Sequence, residues 1–205
     1  LQNSISLGRI GDIGTGSSAI GNRTTASGAF SHAVGINTTA SGDFSHAEGE
    51  GAKALGKDSH AEGNNTTASG DYGSHAEGYN TKASGNASHA EGDMTTALGL
   101  YSHAEGGGTT ASGTCSHAEG YNAKALGNFS HAEGNNTTAS SDSQHVQGKH
   151  NIEDKANKYA HIVGNGKNNS NRANAHTLDW NGNAWYAGEV YVGGKSQDDG
   201  KKLLS

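Results

Sequence analysis

Ser59-His60-Ala61-Glu62-Gly63-Asn64-Asn65-Thr66-Thr67-Ala68-Ser69-Gly70 holds two five-residue runs, Ser-His-Ala-Glu-Gly and Thr-Thr-Ala-Ser-Gly, each ending in glycine. Five residues suit a short strand and are too few for a helix. A glycine gives the backbone the freedom of a tight corner, and Asn, Asp or Gly after it signals a turn. Two short strands separated by corners describe one coil of a parallel β-solenoid.

The unit recurs along most of the chain. Ser-His-Ala-Glu-Gly begins at Ser45, Ser59, Ser74, Ser88, Ser102, Ser116 and Ser130. Degenerate copies begin at Ser31, Gln144 and Ala160, and two earlier ones without histidine begin at Ser4 and Ser17. From His32 to His161 the histidines are 14, 14, 15, 14, 14, 14, 14, 14 and 16 residues apart, the single 15 arising from an inserted Gly73. A fixed period of this kind marks a repeat architecture. The expectation is an all-β solenoid over residues 1–166, with about 14 residues per coil and about 12 coils. Coils stacked ~4.8 Å apart make a rod ~55 Å long.

Strand alternation sorts the side chains. Ser, Ala and Gly of the pentad share the inner face, and His and Glu the outer one. In Thr66-Thr67-Ala68 the first Thr and the Ala point inward, and the second Thr outward. Leu55, Leu98 and Leu126 fall at outer positions of the second strand. The outer face of the first strand then carries His32, His46, His60, His75, His89, His103, His117, His131, His145 and His161 beside Glu48, Glu62, Glu77, Glu91, Glu105, Glu119 and Glu133. An aromatic often stands two residues before the histidine: Phe30, Phe44, Tyr101, Phe129 and Tyr159. Towards the rod ends the outer positions turn apolar, at Ile5, Leu7, Ile20, Val34 and Val163.

This arithmetic leaves a lone coil short of burial. Among 205 residues there are 33 glycines, no proline and only 24 Leu, Ile, Val and Phe together. That falls below the ~20% at which ordinary cores form. An interior of Ala and Ser buries little apolar area at ~25 cal/mol per Å², while ordering each residue costs ~1–2 kcal/mol. Identical rods packed through the aromatic–His–Glu stripe supply the missing burial. We therefore expect a homotrimer whose interface uses Ile5, Leu7, Ile20, Phe30, His32, Val34, Phe44, the His and Glu rows, Phe129, His161 and Val163.

At these residues the sequence resembles a known family. Asn3-Ser-Ile-Ser-Leu-Gly8 and Ser17-Ser-Ala-Ile-Gly21 are similar to the Asn-Ser-Val-Ala-Ile-Gly motif of YadA-like heads in trimeric autotransporter adhesins. The resemblance covers residues 3–166 and implies a left-handed parallel β-roll, tightly trimerised. Where that family turns Val and Ile towards the trimer interface, this sequence has His and Glu in most coils.

After the repeats, residues 167–194 read as a β-hairpin cap. Ala175 to Trp180 and Ala184 to Val192 flank Asn181-Gly182, a two-residue hairpin turn signal. The hairpin contains both tryptophans. Residues 195–205 read as a linker to a missing or cleaved downstream region. The stretch Asn174 to Gly194 resembles a segment of phage and prophage tail-fibre proteins of Gram-positive bacteria, which there precedes a self-cleaving chaperone domain.

Several classes fall away. Apolar runs are far short of the ~20 residues that span a bilayer, so no membrane insertion is expected, and the N-terminus shows no signal-peptide pattern. Net charge is -6 and no basic cluster is present, which argues against nucleic acid. One cysteine makes neither an intrachain disulfide nor a thiolate metal cage. No Gly-x-Ser-x-Gly nucleophile turn appears, so no enzyme and no cofactor are expected. A metal reading attaches to His46, His60, His75, His89, His103, His117 and His131, whose imidazoles suit transition ions; an interchain His–Glu network is the expected reading. The Thr-Thr rows suggest an ice-binding face, but Lys53, Lys82 and Lys124 interrupt it. The expected role is a tail-fibre module of a phage or prophage contacting the host surface. The alternative is the head of a trimeric bacterial surface adhesin. In either case the partners are the chain itself and a surface receptor such as a glycan, and the location is a virion tail or the cell exterior.

Overall fold

The computed structural model describes residues 5–9, 13–192 and 201–202. Among them there is no helix and therefore none able to cross a membrane. The chain is a β-solenoid in which each coil holds a five-residue strand, such as His60–Asn64, and a two-residue strand, such as Thr67–Ala68. Like mostly pairs with like in parallel from coil to coil: His60 on His75, Ala61 on Ala76 and Glu62 on Glu77, and Ala68 on Ala83, with Thr67 on Lys82. Eleven long strands run in register from Ser18–Ala26 to Tyr159–Asn165. The strand Ile5–Arg9 adds before them, with Ile5 on Ser18 and Leu7 on Ile20. The side chains of Ile5 and Leu7 lie outside the described residues.

The expected sorting of faces holds for Ser, Ala, His and Glu and for the Thr-Thr-Ala run, but not for the pentad glycine: Gly49, Gly63 and Gly78 are exposed beside the glutamates rather than turned inward. The interior is a double column of fully buried alanines, with the first Thr of each pair and the pentad serine beside them. Among the described residues the largest fully buried side chains are Ile162, Gln144 and Val146, all near the C-terminal end. The serine serves its own corner. Ser59 Oγ donates to the Gly56 carbonyl at 2.7 Å, and Ser102 and Ser130 do the same to Gly99 and Gly127. Thr24, Thr38, Thr66, Thr81, Thr95, Thr109 and Thr137, by contrast, bury Oγ1 without a hydrogen-bond partner.

The glycines do a different job from the one composition suggests. Left-handed corner positions fall mostly to other residues, among them Asn65 at φ 55 and Tyr72 at φ 61. The repeat glycines instead mark where coils touch. A Cβ on Gly63, which also has φ +108, would lie 2.2 Å from the Gly78 carbonyl oxygen, and one on Gly70 would lie 2.0 Å from that of Gly85. Only hydrogen fits between coils at strand spacing. Phe30, Phe44, Tyr101 and Phe129 also sit at corners with positive φ and are exposed. They therefore precede the strand rather than forming part of its outer row. Phe30 and Phe44 stack, with centroids 5.4 Å apart.

At the far end the repeat is closed by polar groups and an antiparallel turn-back. Buried Asp154 accepts the Tyr159 and Lys158 amides at 2.7 and 2.8 Å and the Gln144 side-chain amide at 3.2 Å. Asn174–Asp179 pairs antiparallel with the last coil's Tyr159–Asn165, and Ala184–Tyr186 pairs antiparallel with Asn174–Asp179. The turn between them contains Gly182, and Asp179 Oδ1 accepts the Asn181 and Asn183 amides. The hairpin thus covers the edge of the long-strand sheet with backbone, while Trp180 and Trp185 are 48% and 55% exposed. Of residues 195–205, Lys201–Lys202 alone is described, paired antiparallel with Tyr191–Val192.

A candidate interaction face of stacked histidines and glutamates

The outer face of the long strands is a ruled surface. Parallel register carries one residue type onto itself in every coil, so the imidazoles form a column. From His46 to His145 neighbouring rings stack with centroids 4.7–4.9 Å apart and planes within 10° of parallel. The column loosens at its ends: His32 meets His46 edge-on, and His145 to His161 is tilted by 44°. It then continues into the hairpin, where His176 contacts His161 and Tyr186 contacts His176. His176 lies outside the repeat, so periodicity gave no sign of it; antiparallel pairing with the last coil delivers it.

The glutamates form a second column beside the first. Register places Ile20, Val34 and Glu48 in succession, and Gln147 and Val163 at the other end. The apolar-ended, carboxylate-centred stripe is therefore one straight row. Together with the side-chain-free glycines it borders shallow grooves, one along Val34, Glu48, Glu62 and Glu77 and another along Glu119, Glu133 and Gln147.

The His–Glu contacts close within one chain. From His75 to His145 each imidazole approaches the glutamate of the coil before it: His75 Nε2 lies 3.6 Å from Glu62 Oε1, His103 3.4 Å from Glu91 and His131 3.3 Å from Glu119. His46 instead lies 3.6 Å from Glu48 of its own strand. His89 to Glu77 at 3.2 Å and His117 to Glu105 at 3.3 Å also have hydrogen-bond geometry. Nε2 of His46, His60, His75, His103, His131 and His145 is shielded from solvent and has no hydrogen-bond partner. Within one chain, then, histidines already answer carboxylates of the neighbouring coil.

Burial, and after it the neighbouring imidazoles, holds His46, His103 and His131 below the ordinary histidine pKa, against an opposing pull from the glutamates. His32 and His161, near the two ends, are lowered for the same first reason. Neutral rings can stack at this spacing; two adjacent imidazolium ions would repel.

The second face is plainer. Thr25, Thr39, Lys53 and Thr67 succeed one another on the outer row of the short strands, so the lysines do interrupt the threonine array. Cys115 is free and exposed at a corner.

The family model for the YadA head domain repeat matches the chain, in 2 copies, over residues 13–31, 47–72, 90–114 and 118–140. No curated protein matches the sequence.

Proposed function

We propose, for a chain that carries YadA head domain repeats, the role of a non-enzymatic adhesive head. Three identical rods pack through the His/Glu face and are displayed outside the cell, where the assembly meets a surface receptor. The observation that carries this reading is the mismatch between core and surface. Inside there are mainly alanine, serine and threonine, and outside runs a straight, half-buried stripe that repeats coil after coil. Burying that stripe against its own copies supplies the apolar area that each rod lacks.

Two settings suit such a rod. The repeat match favours the head of a trimeric surface adhesin. The tail-fibre setting rests on the resemblance of Asn174 to Gly194 alone, so we place it second. Labelled chain applied to bacterial and animal cells, with a glycan array alongside, tests the adhesive role. Saturable, competable binding to one surface supports it. Uniform failure to bind would remove the adhesive role and leave a spacer.

A further inference from the structure

The His/Glu face also has the donors and the spacing of a metal-binding surface. Two ligands on a tetrahedral zinc ion, each bonded at about 2.0–2.1 Å, stand about 3.3 Å apart. The cross-coil pairs meet that edge length: 3.4 Å for His103 with Glu91, and 3.3 Å for both His117 with Glu105 and His131 with Glu119. Imidazole nitrogen with carboxylate oxygen is a donor set that zinc accepts. The Nε2 atoms of His103 and His131 have no hydrogen-bond partner, so their lone pairs are uncommitted when the ring is the Nδ1–H tautomer.

Stacking fixes which atoms share an ion. Parallel rings 4.8 Å apart aim their nitrogens in the same direction. Two nitrogens on one ion at ~2.1 Å bonds can be no more than ~4.2 Å apart. Successive histidines of one chain therefore cannot share an ion without breaking the stack, although the ligand atoms of His-Glu-His groups such as His60, Glu62 and His75 lie within 4.8 Å of one another. One histidine and the glutamate of the preceding coil can share an ion. The geometry points to a ladder of weak divalent transition-metal sites, about one per coil. Each is built from His Nε2 and the preceding coil's Glu Oε1, and its remaining positions are open to water or to a neighbouring molecule.

The donor pair lies within a single chain, so the ladder stands apart from the trimer reading. The test uses the untagged chain, stripped with a chelator and titrated with zinc chloride by calorimetry. Its mass is measured separately in chelator, so that assembly and metal uptake are read independently. The expected result is uptake of several ions per chain, with X-ray absorption showing nitrogen and oxygen neighbours at about 2.0–2.1 Å. Replacing Glu91, Glu105 and Glu119 by Gln, which keeps shape and fold, is expected to lower the count by about one ion per substitution. No uptake up to millimolar zinc would overturn the proposal, leaving a ladder of His–Glu contacts only. A count unchanged in the Glu→Gln variants would overturn it equally, because imidazole alone would then be the ligand.

Discussion

Nε2 of His117 lies 3.3 Å from Oε1 of Glu105, twelve residues earlier and one coil away. His and Glu two residues apart in a strand point the same way, which the sequence displays. The pairing across coils follows from parallel register, which sets Glu105 beside Glu119 and His103 beside His117. Each rung is thereby tied to the next by side chains as well as by backbone.

Acid should loosen this ladder. His46, His103 and His131 have pKa values lowered in the fold, so below about pH 6.5 the unfolded chain binds protons first and stability falls. Above about pH 7 these groups are neutral in both states and contribute no slope. Thermal melts from pH 8 to pH 5 are expected to be level at the top and to drop steadily below 6.5. A midpoint that rises on acidification would mean that the rings are stabilised as cations.

Gly92→Ala should be among the most damaging single changes. A Cβ there would sit 2.2 Å from the Gly106 carbonyl oxygen, at φ +107. The coils must part or the strand must bend, a loss of about 3 kcal/mol or more. Gly73→Ala is the control, since it meets nothing within 4 Å despite φ +79, and its cost is expected to be about 1 kcal/mol. Chemical denaturation of both variants checks the ranking.

Thr66→Val and Thr95→Val should stabilise the protein. Both hydroxyls are fully buried without a partner, and valine has nearly the same shape. Ala52 and Ala123 occupy the equivalent site in two coils and are equally buried, so the fold does not depend on a hydroxyl there. A gain of about 1 kcal/mol per site is expected. A loss on denaturation would show that the hydroxyl is paired after all.

Asp154→Ala should unravel the C-terminal coil first. Its carboxylate gathers the Tyr159 and Lys158 amides and the Gln144 side chain, and removing it strands buried donors at about 2–3 kcal/mol. Amide exchange in Tyr159–Asn165 is expected to quicken while that in His60–Asn64 is unchanged. Uniform quickening along the rod would show instead that the solenoid unfolds as one unit.

The coil was readable because translation along the rod repeats one residue pattern, so period and alternation together state which side chains face inward. Ala61 and Thr66 inside, with His60 and Glu62 outside, follow from that alone. Contacts between coils were harder to see. The close approach of Gly63 to Gly78 joins residues fifteen apart, and nothing within a single coil reports it, so the glycines read as corner residues. The corners themselves accept Asn, Tyr and Phe in the left-handed region. Sequence alternation places Phe129 on a strand face, whereas its φ of 57 puts it at a bend. The terminal coil was opaque for a different reason: Gln144 bonds Asp154, and Asn151 clasps the Thr138 backbone, in place of the repeat's small residues, which no period encodes.

The rod that we propose, small-cored inside, is completed by its own copies through the His/Glu face. Sedimentation equilibrium at pH 7.5 in chelator, at micromolar chain concentration, tests it most directly. The account predicts a mass of three times the 20.8 kDa chain, with dissociation and unfolding occurring together on dilution or denaturation. A folded, cooperative species sedimenting at 20.8 kDa would contradict it.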